Sequence, residues 1–113
     1  MKIELSRFKI KKSKEDLANE WMKILNDRID ETVETMGREK MFIEAIFEEK
    51  INGEKYFSWF SIQNKNGEMC DTSEHEIDKV HIKYWKECID DTVPVDNQKL
   101  KLFLLNKNTK LKS

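Results

Sequence analysis

Residues 41–63 place the pair Asn52-Gly53 between two runs rich in Ile, Phe, Tyr and Trp, the strongest short-range signal for a two-residue β-hairpin. Both central positions of a type I′ turn need a positive φ, which Asn and Gly tolerate. With that loop, Ile51 stands opposite Glu54. Counting back, Phe47 meets Ser58, Ile46 meets Trp59, Ala45 meets Phe60, Glu44 meets Ser61 and Ile43 meets Ile62. Side chains alternate across a strand, so the hairpin has two faces. One carries Ile43, Ala45, Phe47, Phe60 and Ile62 and is nearly dry. The other mixes Phe42, Ile46, Phe57 and Trp59 with Glu44 and Glu48. A sheet that is apolar on both sides needs two covers, and this need governs the rest of the chain.

On either side of the hairpin the pattern repeats a simple unit. Residues 2–11 alternate as a strand with Ile3 and Leu5 on one face and Phe8 and Ile10 on the other. Ser13 and Asp16 form a capping-box pattern, and Leu17, Trp21, Ile24, Leu25, Ile29, Val33 and Met36 recur at helical spacing up to Gly37, which stands where a glycine cap belongs. That stripe drifts round the helix, which implies a bend. After a polar loop over 64–71, Ser73 and Glu76 announce a second helix with the stripe Ile77, Val80, His81, Tyr84, Trp85, Cys88 and Ile89. Pro94 stops any continuation. Residues 99–105 then read as a last strand, with Leu100, Leu102 and Leu104 on one face and Phe103 and Leu105 on the other. The order βαββαβ predicts a ferredoxin-like α+β fold over residues 1–105, a four-stranded antiparallel sheet with two helices on one face, followed by a polar tail over 106–113.

If the helices take the drier hairpin face, the opposite face stays open with Phe8, Ile46, Phe57, Trp59 and Phe103 on it. Aromatic groups of this size are rarely left to water. The expected cover is a second copy, so these five residues are the predicted homodimer interface. Single-stranded RNA is the weaker occupant. Phe8, Phe57 and Trp59 could stack bases, but Glu44 and Glu48 share their face and no basic stripe accompanies them. Charged residues make up 38% of the 113 and almost cancel, to −1, which also speaks against nucleic acid and anionic membrane as partners. No apolar run approaches the ~20 residues of a membrane span. Cys70 and Cys88 form no Cys-x-x-Cys pair, so reduced thiols and a cytoplasmic location are expected.

For chemistry, His81 stands out at the centre of the second helix's apolar stripe. It reads either as a core histidine bonded to a neighbour or as a pocket-lining acid, base or ligand. Asp78, three residues earlier, is placed to orient it. His75 is off that face and Cys88 two turns away, so neither a metal site nor a thiolate–imidazole pair is expected. No cofactor motif occurs. Should the two sheet faces be reversed, Glu44, Trp59 and His81 would converge under the helices. The predicted function is binding or conversion of a small apolar or aromatic molecule near His81, with Trp59, Glu44 and Asp78 as further ligand candidates. The rival prediction is a non-catalytic structural or interaction dimer without a pocket. Whether the chain is an enzyme stays open.

The segments Met-Phe-Ile-Glu-Ala-Ile-Phe at 41–47, Tyr-Phe-Ser-Trp at 56–59 and the helix at 73–90 resemble an uncharacterised bacterial family of the dimeric α/β-barrel superfamily, which includes antibiotic-biosynthesis-type monooxygenases and haem-degrading enzymes. The resemblance implies a homodimer whose sheets form a barrel, with any pocket between sheet and helices. Haem-degrading members use an Asn on the first strand, a Trp on the third and a His on the second main helix. Trp59 and His81 occupy comparable elements, but Ser6 and Arg7 stand where the Asn is wanted.

Overall fold

A computed structural model describes residues 1–64 and 75–110. The Asn52-Gly53 turn organises it as the spacing requires. Asn52 has φ 52° and Gly53 φ 79°, and strands β2 (Met41–Ile51) and β3 (Glu54–Gln63) pair from Ile51↔Glu54 back to Ile43↔Ile62. A register shift between Met41 and Ile43 marks Phe42 as a bulge. Strand β1 (Lys2–Lys9) lies against the other side of β3, with Ser6 opposite Trp59 and Phe8 opposite Phe57. A short β4 (Asp96–Asn97) pairs with Arg7 and Ser6, giving one antiparallel sheet in the order β2-β3-β1-β4.

Three helices, not two, pack beside this sheet. The long first stripe divides into α1 (Glu15–Asp27) and α2 (Ile29–Glu39), and α3 spans Glu76–Cys88. At the division Arg28 leaves helical geometry, with φ −112° and ψ 38°. Its guanidinium holds Glu31 at 2.6 Å and 2.8 Å and reaches Glu76 of α3 at 2.8 Å, so the bend is tied to the next helix. The drifting stripe predicted a bend; the structure makes it a full break. Gly37 is not the cap. Lys40, at φ 51°, takes the left-handed position and its N–H bonds Gly37 O at 3.3 Å. At the start of α1 no side chain caps the helix, so Ser13 does not play that part; Ser73 lies outside the described residues, and α3 starts from His75.

The ferredoxin-like dimeric α/β barrel is therefore not what the chain builds, and the resemblance to the monooxygenase-type superfamily falls with it. The sheet is open, the helices number three among the described residues, and the fourth strand is two residues long. Residues 99–105 form no strand. Their register explains part of this. Continued pairing beyond Asn97 would set Lys101 opposite Lys2, a like-charge pair, and β1 ends there.

The sheet faces are also the reverse of the expected ones. Helices cover the side bearing Phe8, Ile10, Ile46, Phe57 and Trp59, where Ala18 and Trp21 of α1 and Cys88 and Ile89 complete the core. Phe57 is 2% exposed, so it belongs to the interior of this chain. Total ring area favours this choice: Phe8, Phe57 and Trp59 each offer ~150–250 Å² to the helices. The two glutamates that argued for the other arrangement stay at the margin, solvent-accessible. Glu48 is 3.0 Å from the ammonium of Lys55, which is itself buried and donates to Asn19 of α1 at 2.8 Å. The uncovered side carries Leu5, Ile43 and Phe47, all exposed. Near the turn it becomes polar, with Arg7 over the Tyr56 ring and paired to Asp96 and Glu49. Closing the fold, Ile10 bridges Ile89, and the Asp90 N–H bonds Lys9 O at 2.9 Å.

Candidate ligand-binding site

With the faces reversed, His81, Trp59 and Glu44 do converge under the helices. Helical spacing on α3 aims His81 and Trp85 at the sheet, β3 sends Trp59 up between them, and α1 brings Trp21 to the same point. Ring centroids of Trp21, Trp59 and Trp85 lie 5.4, 5.4 and 6.1 Å from that of His81. Phe8 adds an edge contact to Trp85 at 4.7 Å.

The imidazole is held by Trp21, whose Nε1–H donates to His81 Nδ1 at 3.1 Å. An accepting Nδ1 places the ring's own proton on Nε2 in the neutral form. Burial pushes its pKa down to about 4, against a small upward pull from Asp78. The sequence had offered Asp78 as the orienting group; Trp21, read only as core, does that work. Asp78 is instead buried in the first turn of α3, where it lines a neighbouring cavity.

Trp59 donates its indole N–H to Glu44 Oε2 at 3.0 Å. Solvent still reaches this carboxylate although protein crowds it from most sides. That desolvation pushes its pKa up, the indole bond draws it back, and the charge of Asp78 adds to the rise. Glu39, at the end of α2, is the residue that pattern reading missed. Burial pushes its carboxyl up to about 7, helped by the charges of Asp78 and Glu44 and opposed by the Thr35 hydroxyl and Arg38. Nothing in the helical stripe marks it, because the break at Arg28 redirects α2 and Lys40 ends it.

Two cavities meet at this cluster. An open cleft of about 390 Å³ is walled by Phe8, Trp59, Trp85 and His81, with Ser6, Glu39 and Glu44 supplying polar groups. A second, of about 290 Å³, runs under α1 and α2 past Met22, Ile46 and Asp78. Both touch Glu39, Glu44, Trp59 and His81. Lys2 is the one cation among the lining residues, and it is 2.9 Å from Glu4. The site thus offers aromatic walls, a neutral ring N–H and two carboxyl groups that burial holds above their ordinary pKa.

The predicted interface residues are distributed differently. Phe8, Ile46, Phe57 and Trp59 face the helices, whereas Phe103 lies on the unpaired C-terminal segment. His75 is 3.9 Å from Glu34. Among the described residues no three His, Cys, Asp or Glu side chains stand close enough to hold a metal ion. Cys88 is buried, and its thiol pKa is pushed up by that burial. No helix among these residues is long and apolar enough to cross a membrane.

No curated protein and no solved structure matches the chain. A family model does, one described only as a family of unknown function and designated DUF6176. It covers residues 1–111, and the chain belongs to that family.

Proposed function

We propose that this domain is a homodimeric binding module for a small molecule with an aromatic or aliphatic body and a cationic amine, held in the cleft beside His81. The observation carrying the reading is the pairing of that cleft's four ring walls with Glu39 and Glu44, whose upward shifts, caused first by burial, register the cost of keeping them charged there. An ammonium placed over Trp59 would favour their charged forms while its body displaced water from Phe8 and Trp85. His81, neutral at physiological pH with its proton on Nε2, is suited to giving a hydrogen bond there and poorly matched to general acid–base work. A dimer with no ligand is the competing reading; it would want the imidazole packed on all sides, whereas His81 borders both cavities.

Titration calorimetry with 2-phenylethylamine and tryptamine, against neutral 2-phenylethanol, tests this. The amines should bind more tightly than the alcohol, and Glu44→Gln with Glu39→Gln should erase the difference. Absence of heat for all three probes at millimolar concentration, or an unchanged preference in the double variant, would refute it.

A further inference from the structure

The described chain ends in a segment with nowhere of its own to go. The N–H of Gln98 donates to Leu5 O at 2.8 Å, the last bond between this segment and the sheet. From Lys99 on, the backbone makes no further bond to the sheet, and it forms neither strand nor helix through Leu105. Extending the β1–β4 register would use up β1 at Lys101. Residues 102–105 would then run past the end of β1. Yet the sequence is that of a strand. Leu102 is 72% and Leu104 80% exposed, with Leu100 half-exposed on the same side. A water-facing row of leucines in a segment of strand-like sequence is a surface suited to pairing.

The same molecule carries the complement. Among the described residues strand β2 is an edge that pairs only with β3, so alternate backbone groups along it point outward. On its open side stand Ile43 and Phe47, exposed and beside Leu5 across the sheet. Charge fits as well. β2 holds Glu44, Glu48 and Glu49 against Lys50, whereas residues 98–110 hold Lys99, Lys101, Lys107 and Lys110 and no acid.

We propose that residues 99–105 of each copy add as a strand to the outer edge of β2 in a second copy, in a reciprocal exchange. The leucine row then continues the open side next to Ile43 and Phe47, while Lys101 turns toward the side bearing Glu44 and Glu48. Arm and open face together present Leu5, Ile43, Phe47, Leu100, Leu102 and Leu104 as exposed apolar side chains, the material of a self-complementary interface. This arrangement rests on the self-association in the reading above, and it assigns that association to the arm instead of the aromatic face.

Sedimentation velocity of the full chain over a wide concentration range reads it directly. The wild type should be a dimer. Leu102→Asp with Leu104→Asp, and separately Phe47→Asp, should weaken it roughly a hundredfold, as loss of buried anchors implies. Both changes fall on exposed side chains, and circular dichroism verifies the fold. If either variant unfolds, a chain ending at Gln98 replaces the arm variant and Ile43→Asp replaces the face variant. Mixing arm and face variants should restore a heterodimer through the one intact pair. A monomeric wild type overturns both the exchange and the self-association. A dimer that the arm changes leave intact, or a mixture that stays monomeric, overturns the exchange alone. Amine binding in the cleft is measured separately and stands or falls by itself.

Discussion

Acid should loosen this protein through a single ring. His81 has a pKa of about 4 in the folded chain against an ordinary 6.5. Between those two values the unfolded chain holds a proton that the folded one refuses. Stability is therefore intact above about pH 6.5 and is lost as the pH falls toward 4. The full shift corresponds to about 3 kcal/mol, and linkage gives about 2 kcal/mol lost by pH 5. Protonating Nδ1 would also displace the Trp21 indole, because two N–H groups would then face each other. The control is His81→Gln, whose side-chain carbonyl can still accept from Trp21 and which does not titrate. Urea unfolding followed by far-ultraviolet circular dichroism at pH 7 and pH 5 supplies the two differences. Wild type should lose about 2 kcal/mol more than His81→Gln over this interval. A gap below about 0.5 kcal/mol would mean the imidazole accepts its proton in place, and the account of a ring kept neutral by burial would be wrong.

Glu39 works in the opposite direction. Its raised pKa means stability is lost as pH rises from about 4.5 to about 7, and since it is only half-buried, solvent screening reduces the effect to about 1 kcal/mol. Glu39→Gln should therefore gain that amount at pH 8 and match wild type at pH 4.5 in urea midpoints; equal stability at both refutes the assignment. Lys55→Met keeps the buried stem and removes only the ammonium between Asn19 and Glu48, so it should cost less than about 1 kcal/mol, whereas Lys55→Ala should cost about 2. Thermal unfolding of the pair checks the order. In a Cys70→Ser background, the thiol of Cys88 should react with Ellman's reagent only as fast as the chain opens; rapid labelling in native buffer would contradict its burial.

The hairpin was legible because its signals are local. Asn52-Gly53 sets the turn, the turn sets the register, and every cross-strand pair from residue 43 to 62 follows. Orientation of that hairpin was not legible. Alternation says which residues share a face but not which face goes inward, and Glu44 and Glu48 tipped the sequence argument the wrong way because marginal carboxylates can reach water past a buried ring. Helical periodicity found Trp21 and His81 but could not reveal their bond, which joins residues 60 apart. Residues 99–105 have the composition of a strand. Strand pairing, however, depends on an available neighbour, and β1 is too short to be one. Glu39 left no trace in the pattern, since a carboxylate at a helix end is ordinary until a break upstream turns that end toward a cavity.

All three tryptophans of the chain sit round one imidazole. Their emission therefore reports a single place, free of indoles elsewhere that would dilute it. Anything entering the cleft, and any proton settling on the ring, should dim or shift nearly the whole ultraviolet glow of the molecule. The protein comes with its own optical gauge, read without attaching a dye.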